Sequence, residues 1–197
     1  MSHITWETNK RVCIVTLNRP DKYNSFDLKM VEAFEGFLQA RRYDDEIGVI
    51  IIHGGEAKGP ESVWEILEHF KPRRIGHGVR SIEDPKLVEH LAANNIHLEV
   101  CPTCNVQINI FETHADHPID KLMKAGISLG VNTDGRSLSE ISLSKEYAKL
   151  AESFGWGIDE FYQVNLNALE HAFIPAGEKV GLKEVLKNGY RGMKAVK

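Results

Sequence analysis

Ile47-Gly48-Val49-Ile50-Ile51-Ile52 runs straight into His53-Gly54-Gly55-Glu56. The first six residues are apolar at odd and even positions alike, and four of the last five are β-branched or glycine-flanked aliphatics in one run. A strand apolar on both faces belongs in a parallel sheet covered by helices on both sides. The polar, glycine-broken turn that follows puts an imidazole and a carboxylate at the carboxyl end of that strand. Parallel α/β folds gather their functional groups at that edge.

The same rhythm continues downstream. The pattern predicts a helix over 60–70 with Pro60 near its start, a short strand and turn over 74–79, and a helix over 85–94. A strand over 97–101, a helix over 118–125 and a strand over 127–131 come next, then helices at about 139–154, 158–173 and 181–188. Upstream, Ile4 and Trp6, then Val12, Ile14 and Thr16, alternate as two strands joined by a turn at Asn9-Lys10 and stopped by Asn18-Arg19-Pro20-Asp21. Ser25 is placed to cap a helix whose core stripe is Leu28, Val31, Phe34, Phe37 and Leu38. The expected fold is α/β: an N-terminal β-hairpin and helix joined to a parallel half-barrel of βα repeats, either open or completed by a second chain. Its six strands fall short of the eight of a TIM barrel, and 197 residues fall short of the roughly 250 such a barrel uses.

Composition narrows the function classes. A hydrophobic fraction of 42% supports a core and excludes global disorder. A net charge of -4 argues against a nucleic-acid partner, which wants a basic face. The longest aliphatic run, Val49–Ile52, is far below the ~20 residues of a membrane span, so no membrane partner is expected. Three cysteines, an odd number, and an N-terminus without signal-peptide character point to a reducing, cytoplasmic setting.

Four strand ends carry polar residues: His53 with Glu56; His77 between Gly76 and Gly78; Cys101-Pro102-Thr103-Cys104-Asn105; and Asn132-Thr133-Asp134-Gly135. Imidazoles and carboxylates on one sheet edge are ligands for zinc or iron, and a nearby glutamate can move protons. Plainer uses exist for each. His77 can cap a turn, and Asp134 can cap a following helix. The Cys101-x-x-Cys104 spacing is that of a redox or zinc site, but it falls at a strand end and not at the helix start a thioredoxin-like site needs. His69, His90, His97 and His171 read as surface or packing residues.

These residues resemble two known families. Residues 53–173 resemble the C-terminal half of the adenosine deaminase family. The resemblance rests on His53-Gly54-Gly55-Glu56-Ala57, Gly59-Pro60-Glu61-Ser62-Val63-Trp64, Arg74-Ile75-Gly76-His77-Gly78, Leu98-Glu99-Val100-Cys101-Pro102, Asn132-Thr133-Asp134 and Asn165-Leu166-Asn167-Ala168. Residues 4–52 resemble the start of the crotonase (enoyl-CoA hydratase) family, through Val15-Thr16-Leu17-Asn18-Arg19-Pro20-Asp21-Lys22-Tyr23-Asn24-Ser25-Phe26 and the strand 47–52. The seam lies at 49–53. The organisation implied is a hybrid, with a crotonase-like segment 1–52, a deaminase-like half-barrel 53–192 and a tail 193–197, integrated into one domain.

The deaminase resemblance implies zinc as cofactor and a purine nucleoside as partner. His53 and Asp134 would be metal ligands, Glu56 the proton donor to the purine ring nitrogen, and His77 the group that orients or deprotonates the attacking water. The family also uses an H-x-H pair, and this sequence has none. The nearest substitute, His114-Ala115-Asp116-His117, reads as a loop. Zinc is therefore expected to bind weakly or not at all, and efficient catalysis is not expected. Two other implied readings are a deaminase whose missing ligands come from another chain, and an assembly module. A homodimer or larger homo-oligomer is expected because an incomplete barrel leaves strand edges unpaired.

Overall fold

The computed structural model describes residues 4–9, 12–17, 28–40, 53–54 and 59–194. The chain divides into two compact units, Met1–Ile51 and Ile52–Lys197. The expected strand over 47–52, the turn residue Lys10 and the Ser25 cap lie outside the described residues.

In the first unit, β1 (Ile4–Asn9) pairs antiparallel with β2 (Val12–Leu17), in the register Ile4 to Leu17 and Asn9 to Val12. The helix α1 (Leu28–Ala40) buries Met30, Phe34 and Phe37, at the i, i+4, i+7 spacing of one helical face. Met30 belongs to that buried face although the sequence stripe passed over it, and Val31 and Leu38 are half-buried.

The second unit is built on a four-stranded parallel sheet whose spatial order follows the chain. Its strands are β3 (His53–Gly54), β4 (Arg74–His77), β5 (His97–Val100) and β6 (Leu129–Val131). Among the described residues this sheet is open. The connections carry α2 (Pro60–Phe70), a 3-10 turn at Val79–Glu83, α3 (Pro85–Ala93), α4 (Pro102–Gln107) and α5 (Ile119–Lys124). After β6 come α6 (Arg136–Ser139), α7 (Leu143–Phe154), α8 (Ile158–Glu170) and α9 (Ala176–Lys194). Strand residues Ile75, Leu98, Val100, Leu129 and Val131 form one core with Val63 and Leu67 of α2, Leu87 and Leu91 of α3, Leu122 of α5, Leu150 of α7 and Val164 of α8. Truncating any fully buried leucine of this set to alanine costs roughly 2–5 kcal/mol.

Some element boundaries differ from the sequence reading. The helix expected from about 139 begins at Leu143 as α7, because Glu140 turns left-handed (φ 49°) and Ser142 caps α7 by accepting a hydrogen bond from the Lys145 N–H at 3.3 Å. The last helix begins at Ala176, earlier than expected, and runs for 19 residues. Among the described residues no helix is long and apolar enough to cross a membrane.

The motif Asn165-Leu166-Asn167-Ala168 has a packing role. Asn165 Nδ2 lies 2.7 Å from the Tyr147 hydroxyl of α7 and 2.9 Å from the Tyr190 hydroxyl of α9. Asn167 Nδ2 donates to the Leu129 carbonyl at 3.3 Å, which ties α8 to β6.

Candidate functional site

β4 ends in His77, set between two glycines, and the backbone there turns left-handed: φ is 61° at His77 and 66° at Gly78. A non-glycine residue in that region carries a cost of about 1–2 kcal/mol, and such residues cluster at functional sites. Asp134, three residues beyond β6, is left-handed as well (φ 53°). The reading of Asp134 as a helix cap does not hold, since Gly135 occupies the N-cap position of α6.

These two turns converge. His77 Nε2 and Asp134 Oδ2 lie 3.6 Å apart, the imidazole fully buried and the carboxylate side chain 38% exposed. β4 and β6 flank β5, so their axes stand roughly 10 Å apart. The two side chains meet by reaching over the end of β5, where Cys101 sits. One ligand atom each from His77, Cys101 and Asp134 fall within 4.8 Å of one another. A nitrogen, a sulfur and an oxygen donor form a set that suits zinc.

The Cys101-Pro102-Thr103-Cys104 segment corrects the sequence reading. Cys101 occupies the N-cap position of α4, so the motif does open a helix. Its chemistry is directed at Asp134: the Cys104 thiol donates to Asp134 Oδ2 at 3.1 Å. A buried carboxylate steadies α4, with Glu146 Oε1 accepting from the Thr103 N–H at 3.1 Å and meeting one of the helix's orphan donors. Burial pushes the Glu146 carboxyl above the ordinary value. Its other oxygen, Oε2, has no hydrogen-bond partner among the described residues.

Behind His77 stands a second polar chain. Asn105 Nδ2 lies 3.1 Å from His77 Nδ1, Asn105 Oδ1 lies 3.1 Å from His117 Nε2, and the Ile119 N–H donates to His117 Nδ1 at 3.1 Å. All three side chains are buried. Burial, reinforced by His114 and His77, lowers the His117 imidazole to about 3. A groove of about 430 Å³ is lined by Asn132, Thr133, Arg136 and Ser142, among others.

Of the residues singled out from the sequence, His77 and Asp134 are brought together. His53 begins β3 in register with Gly76, which sets its backbone at the same sheet edge; its side chain lies outside the described residues. Glu56 lies outside them too. Asn105, His117 and Glu146 were missed as site residues. His117 stood in the His114–His117 segment read as a loop, and it is the deeply buried member of that pair. Glu146 carried a signal: it sits four residues before Leu150 on the buried face of α7, where an acid is out of place.

Comparison with known proteins identifies the family and related folds. The family described as "Adenosine deaminase" matches residues 8–188. An adenosine deaminase from Shewanella loihica is 41% identical over 133 residues, which is 68% of this chain and 40% of that protein. The chain thus spans about 40% of the length of the curated relatives it matches. Among solved structures, an adenine deaminase from Arthrobacter aurescens superposes with a TM-score of 0.75 at 23% identity, over 85% of this chain and 51% of that one. An amidohydrolase from Burkhoderia ambifaria, solved with bound Zn, gives 0.72 at 20% identity, over 87% and 56%. At these identities the two structures speak to the fold.

Proposed function

This chain belongs to the adenosine deaminase family, and from that premise we propose that it carries part of a zinc-dependent site for hydrolytic deamination of purine nucleosides, with turnover far below that of a complete enzyme. The observation that carries this reading is the meeting of His77 and Asp134, 3.6 Å apart, over the end of β5.

In this reading His53 and Asp134 hold the zinc, and the Cys104 thiol fixes the Asp134 carboxylate by its hydrogen bond to Oδ2. A bound ion would supply Lewis acidity, lowering the pKa of a water towards neutral. Glu56 gives a proton to the purine ring nitrogen, and the buried His77 orients the attacking water. Water adds to the ring carbon, the exocyclic amine leaves as ammonia, and an oxo-purine remains. Low turnover follows because the sequence offers no H-x-H pair, and a catalytic zinc normally takes three protein ligands. The test is zinc content of the purified chain before and after zinc addition, together with ammonia release from adenosine. Expected are weak zinc binding that is lost in His53→Ala and turnover orders of magnitude below the usual ~1–1000 per second. Robust turnover that vanishes in Glu56→Gln would replace this reading with that of a competent deaminase.

Assembly is proposed alongside. α9 exposes Val180, Leu182, Val185 and Met193, and β3 and β6 are the edges of the described sheet. Both features favour a homo-oligomer in which another chain completes the site. Activity that rises faster than linearly with chain concentration, with light scattering above 22.2 kDa, is the expected signature. The hybrid origin is also a proposal. The boundary between the compact units, at Ile51 and Ile52, falls within the 49–53 seam, while the family match runs across it from residue 8.

A further inference from the structure

We infer that Asn105 and His117 are positioning residues which fix His77 as the tautomer carrying its proton on Nε2, so that His77 serves this site as an N–H donor and not as a metal ligand. The argument starts from a main-chain group whose direction cannot be reversed. The Ile119 N–H points at His117 Nδ1, 3.1 Å away. A nitrogen that accepts a hydrogen bond carries no proton, so the neutral His117 ring holds its proton on Nε2. That N–H needs an acceptor, and Asn105 Oδ1 lies 3.1 Å from it. With its oxygen committed to His117, Asn105 turns its amide nitrogen towards His77 Nδ1, also at 3.1 Å. His77 Nδ1 must accept, and the proton of a neutral His77 is left on Nε2.

Nothing in this relay can flip alone. Rotating the Asn105 amide sets its NH2 against the His117 N–H and its oxygen against the His77 lone pair. Changing the His117 tautomer sets two N–H groups head to head at Ile119. All three side chains are buried, His77 and Asn105 completely and His117 to 2% exposure. A mispaired donor there would be left buried without an acceptor, which disfavours every alternative arrangement.

The consequence lies at Nε2, the atom 3.6 Å from Asp134 Oδ2. A protonated Nε2 has no lone pair for a metal. His77 therefore leaves the converging set as a ligand and stands beside Asp134 as a hydrogen-bond donor to oxygen. Between orienting and deprotonating the attacking water, the relay selects orienting. That last step rests on the proposed zinc-hydrolase reading, whereas the tautomer does not.

The test is two-bond proton–nitrogen NMR correlation of the chain labelled with nitrogen-15 in its histidine rings, with His77 assigned by the signal lost in His77→Gln. His77 and His117 are both expected as Nε2–H tautomers. In Asn105→Asp, a carboxylate oxygen replaces the amide nitrogen, and the His77 proton is expected to move to Nδ1, exchanging the two ring-nitrogen shifts. An Nδ1–H tautomer of His77 in the unmutated chain overturns the inference, as does an unchanged His77 pattern in a folded Asn105→Asp. If that variant does not fold, the spectrum of the unmutated chain decides by itself. Zinc addition separates the two proposals. A metal-ligation shift on His77 Nε2 overturns the tautomer assignment and leaves the zinc site standing. An Nε2–H signal that persists in a chain that takes up no zinc upholds the tautomer and removes the zinc-hydrolase reading.

Discussion

The two ends of the parallel sheet each hold buried histidines, and they are built for different purposes. At the amino end, His97 Nδ1 pairs with the Ser128 hydroxyl at 2.9 Å, and the His97 ring stacks on His171 at 4.6 Å with 14° between planes. Arg74 closes that end: its Nε donates to Glu99 at 2.6 Å, its Nη1 to the His171 carbonyl at 2.8 Å, and its guanidinium lies over Phe173. His97 sits on ordinary strand backbone. At the carboxyl end, His77 sits on left-handed backbone and faces a carboxylate that is 38% exposed, with a thiol beside it. Burial of a histidine therefore does not mark function. The marks are strained backbone and a neighbour of ligand chemistry open to solvent.

Acid erases the contrast and carries the largest expected effect. Burial lowers His97 and His117 to about 3, from an ordinary 6.5. Both folded-state values are depressed, so below about pH 6.5 the unfolded chain binds protons that the folded chain refuses. Stability is full above that pH and falls as pH drops towards 3, by on the order of 4 kcal/mol per histidine. Glu146, raised by burial, works in the opposite sense, because the folded state takes its proton first as pH falls. Urea midpoints measured from pH 7 to pH 4 should drop steeply. His97→Gln and His117→Gln should each flatten that slope at some loss of stability at pH 7.

Separate substitutions restore the contrast. Asp134→Asn keeps a residue that tolerates positive φ and removes a carboxylate oxygen from the proposed zinc site. Zinc affinity should fall about a hundredfold, and unfolding free energy should stay within about 0.5 kcal/mol. His97→Ala should do the reverse, losing about 2–4 kcal/mol with zinc affinity unchanged within a factor of two. Zinc titration and urea unfolding of both variants make a four-way comparison. Loss of zinc binding in folded His97→Ala would show that the two ends are one site.

How much of this was legible in the sequence differs between the two ends. The βα order and the placement of His77 and Asp134 at strand ends could be read, because apolar runs and glycine punctuation are local signals. The relay through Asn105 and His117 could not, since its members lie on three separate segments and only the fold brings them together. The Cys101 segment was misjudged by one element: Pro102 after a strand reads as a stop, yet proline is at home in the first turn of a helix. Asn165 and Asn167 stood out as a motif but serve packing, because a side-chain amide that ties helices to a strand leaves the same trace in sequence as one that binds a ligand.

A glycine lies beside each histidine cluster, which allows a finer test. Gly78 follows His77 at φ 66°, and a Cβ added there would come within 2.7 Å of Leu98 Cδ2. Leu98 is fully buried, so its side chain can move only at the expense of the core. Gly78→Ala combines a left-handed alanine with overpacking, and about 2–3 kcal/mol of destabilisation is expected. Because the strain falls next to His77, zinc affinity should drop as well. Unchanged zinc affinity in that variant would mean that the turn conformation does not hold the site.

Gly130, in β6 at the other end, should give the smallest effect, and its sign is the informative quantity. Its φ is not in the left-handed region, and alanine in place of glycine gains about 0.5–1 kcal/mol in a strand interior from reduced chain entropy. Against this, the new Cβ would lie 3.1 Å from His97 Nε2 and 3.3 Å from the Ala168 Cβ, so each neighbour would have to yield by a few tenths of an ångström. His97 is held by its stack on His171 and its pairing with Ser128. Ala168 is held because the adjoining Asn167 ties α8 to the Leu129 carbonyl. Neither neighbour gives easily, so the crowding outweighs the entropy gain, and Gly130→Ala should destabilise by about 1 kcal/mol with zinc affinity unchanged. A stabilised variant would show that the amino-end cluster has slack, and the contrast between a rigid lock at one end of the sheet and a strained site at the other would fail.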